Sequence, residues 1–207
     1  MPAAPPARRK RQPIRRRTPQ QDRARTTVDT ILEAAARILR QHGLGALNTN
    51  RIATRAGISV GTLYGYFPDK TAILVALARR LMADDQAALL AAAAEDAAGE
   101  PIRSVLRALI SRHRHDRALR RAAMSVHLGA GGAAEHADAV ARFVLTLIER
   151  NNLLFGPAGP PSPFRLFIAT RAALGVARSL VDESPHADDA DLEDELVRLV
   201  YGYLGLA

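Results

Sequence analysis

The sequence contains no cysteine and no tryptophan, and its aromatic residues amount to only 4%. Without cysteine, a disulfide framework, a thiol nucleophile and a cysteine-based zinc site are excluded. No apolar run reaches the ~18 residues that a membrane span needs; the stretch 87–94 is followed directly by Glu95 and Asp96. The arginine-rich start is not followed by the apolar segment of a secretory signal. These absences predict a soluble, cytoplasmic protein without a membrane partner.

The positive charge is concentrated at one end of the chain. The net charge is +8, and residues 1–25 hold nine lysines and arginines against one aspartate, whereas the remainder carries 20 residues of each sign. The composition predicts a disordered basic arm over residues 1–25, followed by a globular body. Nucleic acid is the commonest partner of such arms. A solvated tail that binds nothing is the alternative.

Helical periodicity begins after the arm. Apolar residues recur at helical spacing from Val28 to Leu39, with Thr26 as a candidate N-terminal cap and Gly43 as a candidate stop. Another helix is expected from Asp69, and further helices near 84–97, 102–113, 117–128, 134–153, 164–182 and 191–204. Breaks are expected at 99–101, 129–132, 156–163 and 184–185. No segment alternates as a strand does, so the sequence predicts an all-α fold.

Two short helices, near 48–56 and 60–66, are separated by a tight turn. Gly57 tolerates the positive φ that such a turn needs, and Ser59 is placed to cap the second helix. Ala53 is small at the point where the helices would cross. This spacing is typical of a helix-turn-helix.

Residues 49–70 read TNRIATRAGISVGTLYGYFPDK, which closely resembles the DNA-binding signature of the TetR family of bacterial transcription regulators. The strong match covers about residues 26–82. The resemblance implies a helix-turn-helix domain over 26–71 and a helical ligand-binding and dimerisation domain over 72–207. It also implies a homodimeric repressor, released from a double-stranded DNA operator by a small-molecule effector. The family's DNA-contact positions fall on Thr49, Ser59, Val60, Gly61, Thr62, Tyr64, Gly65, Tyr66 and Lys70.

The chemistry of these side chains favours phosphate and apolar contacts. Hydroxyl groups and a lysine at a helix N-terminus suit phosphates, and the methyl groups of Val60 and Thr62 suit thymine. Residues 60–66 contain no Arg, Lys, Asn or Gln. This helix therefore has no side chain that forms the usual paired hydrogen bonds to the edge of a base. Gly65 stands where the family commonly has a larger side chain. We therefore hypothesise that operator choice depends on DNA shape and on arm arginines in a flanking minor groove.

Two further groups of residues follow from the resemblance. The predicted effector contacts, for which core packing is the alternative, are Leu81, Met82, Leu106, Ile110, Met124 and Leu128. An aliphatic or anionic effector is favoured, because aromatic residues are few and seven arginines lie within 101–121. The predicted dimer contacts, for which packing within one chain is the alternative, are Val140, Phe143, Val144, Leu147, Phe167, Ile168, Ala172 and Gly175.

No catalytic site, metal site or cofactor is predicted. Residues 57–61 fit the G-x-S-x-G motif of α/β-hydrolases, but that motif needs a preceding strand and Ser59 follows a helix. His113 and His115 are two residues apart and would face different sides of a helix, which disfavours a shared metal ion. The main alternative function is a charge-driven, non-specific nucleic-acid-binding protein that uses the basic arm. Residues 8–11 also resemble a nuclear import signal.

Overall fold

The structure is a computed structural model that describes residues 19–96, 99–150, 159–181, 186 and 189–206. All regular structure in these residues is helical, which confirms the all-α prediction. The α-helices are α1 Pro19–His42, α2 Thr49–Ala56, α3 Val60–Tyr64, α4 Lys70–Ala94, α5 Pro101–Arg114, α6 Arg117–His127, α7 Ala133–Arg150, α8 Pro163–Val181 and α9 Leu192–Leu204. A short 3₁₀ turn, Leu44–Ala46, follows α1.

The first helix begins earlier than its predicted start. Pro19 occupies its first position, where proline is well tolerated because the first N–H groups of a helix have no partner. Thr26 does not cap the helix; its Oγ1 donates to the Asp22 carbonyl at 3.0 Å, inside the helix. The predicted cap is therefore wrong, and residues 19–25 of the predicted disordered arm are helical. Residues 1–18 lie outside the described part of the chain.

The two helices predicted from Asp69 to residue 97 are one continuous helix. Asp69 caps α4 by accepting from the backbone N–H of Ala72 at 2.7 Å, and 25 residues follow without glycine or proline. The break predicted at 129–132 is confirmed: a π-helical turn, Leu128–Gly132, separates α6 from α7, and the backbone leaves helical geometry at Gly131, where φ is +87°. The helix predicted over 134–153 is described as far as Arg150.

The side chains of the described residues pack into two cores. The first core holds α1, α2, α3 and the N-terminal half of α4, together with Leu119, Ala122 and Ala123 of α6. The second core holds α5, α8 and α9, Leu147 of α7, and Leu89 and Ala93 near the end of α4. The α4 helix, about 37 Å long at 1.5 Å per residue, thus belongs to both. Over the described ranges, we find no helix with the length and hydropathy to span a bilayer.

Candidate nucleic-acid interface

Local capping fixes the geometry of α2 and α3. Asn48 caps α2 by accepting from the Arg51 N–H at 2.8 Å, and Gly57 ends that helix in the left-handed conformation with φ 67°. Ser59 Oγ then accepts from the Thr62 N–H at 2.9 Å, which starts α3. Because a residue with a Cβ resists this φ, the glycine at position 57 sets the angle between the two helices.

Buried residues anchor one face of the pair and leave the other face free. Leu63 is the buried residue of α3, and it lies in the first core with Ile52, Ala53 and Phe67. The rest of α3 is exposed except for Val60, which is partly buried against the same core. The short helix is held by these two side chains and by its caps.

The nine predicted DNA-contact residues all reach the surface. Thr49 and Val60 are partly buried and the other seven are exposed, with Tyr64 and Tyr66 exposed by 51% and 39%. Thr49 Oγ1 and Tyr64 Oη share a hydrogen bond of 3.2 Å, which joins the start of α2 to the end of α3. Within this set the structure joins Thr49 to Tyr64 and Ser59 to Thr62. We name the nine residues the α2–α3 surface.

Gly65, the position that departs from the family, has little room for a side chain. A Cβ added there would lie 3.2 Å from the carbonyl oxygen of Thr62. The backbone at Gly65 is ordinary, with φ −67°, so space rather than conformation favours glycine. Next to it, the ring of Tyr66 lines a groove of 370 Å³ with Ala24, Arg25, Val28 and Asp29 of α1.

The sequence comparisons agree with this geometry. A sequence model of a protein family, described as bacterial regulatory proteins, tetR family, matches residues 31–77. A second model, described as the tetracyclin repressor-like C-terminal domain, matches residues 99–204, which is more than half of the chain. The chain belongs to the tetR family of bacterial regulatory proteins.

Curated relatives within the tetR family include two tetracycline repressors. The class D protein of Escherichia coli and the class H protein of Photobacterium damsela subsp. piscicida are each 33% identical over 106 residues. The match covers 51% of this chain and 46% of each relative, so the chain spans about half the length of these proteins.

Solved structures share the tetR-family fold. A TetR transcriptional regulator from Rhodococcus sp. RHA1 superposes with a TM-score of 0.64 at 21% identity, covering 88% of this chain and 97% of that one. The fatty acid degradation regulator FadR from Bacillus halodurans gives 0.61 at 19% identity, covering 92% and 97%. At these identities the likeness shows the fold alone.

Four of the six predicted effector contacts are divided between the two cores. Leu106 and Ile110 are buried in the second core, whereas Leu81 and Met124 pack against the first. Met82 Sδ lies 3.1 Å from Nδ1 of His136. Leu128, partly buried, begins the π-helical turn. Their role stays a prediction.

His127, at the end of α6, is a candidate that the sequence analysis missed. Its side chain is only 1% exposed, and neither ring nitrogen has a hydrogen-bond partner among the described residues. The ring lies so close to Gly132 that a Cβ there would be 2.3 Å from its Cε1. Its spacing of four from the buried Ala123 and eight from Leu119 was a usable signal, because these positions share one helix face.

A buried ion network joins α4, α5 and α6, and the sequence analysis missed it too. Arg120, 7% exposed, donates to both carboxylate oxygens of Asp85 at 2.7 and 2.8 Å, and Arg112 Nε donates at 2.5 Å. Burial raises the pKa of the Asp85 carboxyl, but the two guanidinium groups outweigh burial and hold this pKa below its ordinary value. Burial lowers the pKa of the neighbouring His113.

The predicted dimer contacts differ in exposure. Leu147 is buried, while Val140, Phe143, Val144, Ile168 and Ala172 are partly buried and Gly175 is exposed. On α8, Phe164 and Phe167 are exposed by 70% and 52%, and the Arg171 guanidinium lies 5.3 Å from the centre of the Phe167 ring. Apart from Leu147, α7 has no buried residue in its described range 133–150.

Proposed function

We propose that the protein is a DNA-binding transcriptional repressor that acts in the cytoplasm as a homodimer and leaves its operator when a small molecule binds. The observation that carries this proposal is the α2–α3 surface. It combines hydroxyl and apolar side chains on an exposed helix pair whose opposite face is anchored in the first core by Leu63. Membership of the tetR family supports the same function.

On DNA, α3 would enter the major groove, as the second helix of a helix-turn-helix does. Tyr64 and Thr49, already joined at 3.2 Å, present hydroxyl groups to backbone phosphates. Lys70 at the N-terminus of α4 adds a positive charge to the same contact. Val60 and Thr62 offer methyl groups to thymine. Sequence preference then depends on DNA shape and on arginines of the basic arm.

Dimerisation is supported by the outer faces of α7 and α8. Large exposed apolar side chains such as Phe164 and Phe167 mark interaction surfaces, and Gly175 on the same helix allows close approach of a partner. A two-fold dimer would place its recognition helices about 34 to 36 Å apart, one turn of DNA, and would bind a near-palindrome.

Effector binding is supported by His127. A buried polar group without a hydrogen bond costs on the order of 1–3 kcal/mol, and a ligand that bonds the ring would recover part of it. The neighbouring Met124 and Leu128 supply apolar surface on the same element and turn. The fitting effector is a mostly apolar molecule that carries a hydrogen-bonding group.

Footprinting on the DNA beside the protein's own gene, over a range of salt concentrations, tests the function. We expect protection of a near-palindrome. The Tyr64→Phe variant, which loses one phosphate contact, should bind about tenfold more weakly, since a hydrogen bond to a charged group contributes ~1.5–3 kcal/mol. Tyr203→Phe on α9 is the matched control and should bind like the wild type.

The alternative is non-specific binding through the basic arm. It predicts no discrete footprint, equal binding by wild type and Tyr64→Phe, and loss of all binding when the basic residues at 8–11 are changed to alanine. That combination of results would replace the proposed function. A thermal-shift screen addresses the effector, because a ligand that binds only the folded state raises the melting temperature.

A further inference from the structure

Asp116, which precedes α6, has an unusual backbone conformation. Its φ of 56° is the one positive φ at a non-glycine position in the described ranges. An aspartate before a helix ordinarily caps it, yet this side chain makes no cap hydrogen bond to α6. Such a residue persists only where its surroundings hold it, and these outliers cluster at functional positions. Contacts outside α6 must therefore hold Asp116 in this conformation.

The reason lies in the first helix. Arg40, in the last turn of α1, donates from Nε to Asp116 Oδ1 at 3.0 Å, and its Nη2 lies 3.0 Å from Oδ2. The pair is thus bidentate, a geometry that fixes direction as well as distance. The two residues are 76 positions apart in the chain. With its backbone in the left-handed conformation, Asp116 makes no capping hydrogen bond to α6, and its carboxylate bonds to Arg40 of α1 instead.

The pair connects the DNA-reading helices to the rest of the protein. On one side, Arg40 belongs to α1, which packs in the first core with α2 and α3. On the other side, Arg120 follows Asp116 by one helical turn and donates to Asp85 of α4. The start of α6 is therefore bonded to α1 in one direction and to α4 in the other.

We propose that Arg40 and Asp116 are positioning residues for operator binding: their bidentate pair sets the orientation of α1–α3 against α6. In a dimer this orientation sets the separation of the two recognition helices, and so the half-site spacing that the protein accepts. The inference rests on the proposed function. Neither residue touches DNA; both act through the placement of the α2–α3 surface.

Other charged groups near Arg40 do not replace Asp116. Glu33 Oε1 lies 3.7 Å from Arg40 Nη1, which is longer than a hydrogen bond. The same carboxylate already accepts from Arg37 Nε at 2.9 Å. Glu33 also lies on α1, so its contact with Arg40 holds no second element in place. In the part of the chain that the structure describes, the ion pair that joins Arg40 to α6 is the one with Asp116.

Three variants separate positioning from folding. Asp116→Asn keeps the size of the side chain and tolerates the left-handed conformation, but it loses the charge. Asp116→Gly removes the carboxylate and suits the positive φ, so its melting temperature should not fall. Arg40→Gln removes the partner. Arg198→Gln breaks the exposed pair with Glu195 on α9 and serves as the matched control.

The first measurement is operator affinity over a series in which the half-site spacing changes by one base pair. For each of the three test variants, we expect the preference for the best spacing to fall about three- to fivefold, the range of a well-formed exposed ion pair. The double variant Arg40→Gln/Asp116→Asn should be no worse than either single variant. An unchanged preference, or strictly additive effects, overturns the proposal. If the wild type itself forms no sequence-specific complex, the proposed function fails, and the positioning role fails with it.

The second measurement needs no DNA. Because the chain contains no cysteine, Arg55→Cys on the exposed side of α2 offers a unique spin-label site. In the Arg55→Cys protein, the distribution of distances between the two spin labels of a dimer should be narrow. It should be broader when Asp116→Asn or Arg40→Gln is combined with Arg55→Cys. Arg198→Gln should leave it narrow. Equal widths in all four proteins would show that the pair does not hold the orientation.

Discussion

Replacing Asp85 by asparagine tests the buried ion network most directly. The side chain of Asp85 is 17% exposed and that of Arg120 is 9% exposed, so the change leaves Arg120 with an uncompensated charge in the interior. Removing one partner of a buried pair costs about 3–5 kcal/mol. Because Arg112 is 31% exposed and can turn to water, we expect the lower end, about 3 kcal/mol of unfolding free energy.

Denaturant titration at pH 7 measures this loss as a shift of the unfolding midpoint. Asp138→Asn, on the exposed side of α7, is the matched control and should change stability by less than about 0.5 kcal/mol. The double variant Asp85→Leu/Arg120→Met removes both charges and should recover most of the loss, since apolar replacement of a buried pair is often neutral. A loss below about 1 kcal/mol for Asp85→Asn would refute the reasoning, because the network would then behave as a surface pair.

The same network has a defined pH dependence. The pKa of Asp85 is lowered from its ordinary value of 3.8 in the folded protein. A lowered pKa stabilises the fold above the unfolded-state pKa, and this contribution is lost as the pH falls through the folded-state pKa. The difference in unfolding free energy between wild type and Asp85→Asn should therefore be constant near neutral pH and should decrease as the pH falls below 3.8.

Two glycine substitutions give further predictions. Gly132→Ala should cost about 1–3 kcal/mol of unfolding free energy, the range for overpacking, because its Cβ would lie 2.3 Å from Cε1 of the buried His127 ring. Gly129→Ala is the control, since a Cβ there meets nothing within 4 Å. Equal losses of stability in the two variants would contradict the predicted clash. Gly57→Ala should cost about 1–2 kcal/mol for its left-handed backbone alone, since a Cβ there also meets nothing within 4 Å. Gly57→Asn should cost less, and chemical denaturation of the three proteins checks the order.

The helix-turn-helix was predictable because its determinants are local. Ser59 caps α3 by accepting from the backbone N–H of Thr62, three residues later, and Gly57 supplies the positive φ between the two helices. The alternation of buried Leu63 with exposed Tyr64 follows from helical spacing. Each of these features is encoded within a few residues of where it acts. The exposure of the predicted DNA contacts follows from them.

The continuity of α4 was not predictable from the same rules. The apolar pattern is interrupted by Asp84, Asp85 and Gln86, which favours a break between two helices. In the folded protein two of these residues meet partners far away in the chain. Asp85 accepts from two arginines, and the Gln86 side chain donates to the Ala139 carbonyl at 2.8 Å. Their polarity reflects tertiary contacts rather than a loop.

Long-range pairing also explains what the sequence analysis missed elsewhere. Asp116 directly follows His115 in the sequence, but its partner Arg40 is 76 residues away. His127 lies on the buried face of α6 by spacing, yet its missing hydrogen bonds become visible only when Gly132 is folded against it. A long-range contact sets the Arg40–Asp116 pair, which no local pattern carries, whereas the burial of His127 follows from local helical spacing.

The sparse anchoring of α7 has a consequence for how the protein behaves on dilution. In the described residues, this 18-residue helix is held to the rest of the chain by one buried leucine, by partly buried Phe143 and by three side-chain contacts, Arg79–Glu135, Gln86–Ala139 and Met82–His136. In the homodimer proposed above, a second subunit would add to the protection of this helix. Its backbone amides should then exchange with deuterium faster as the protein concentration falls, while those of α4 keep their rate.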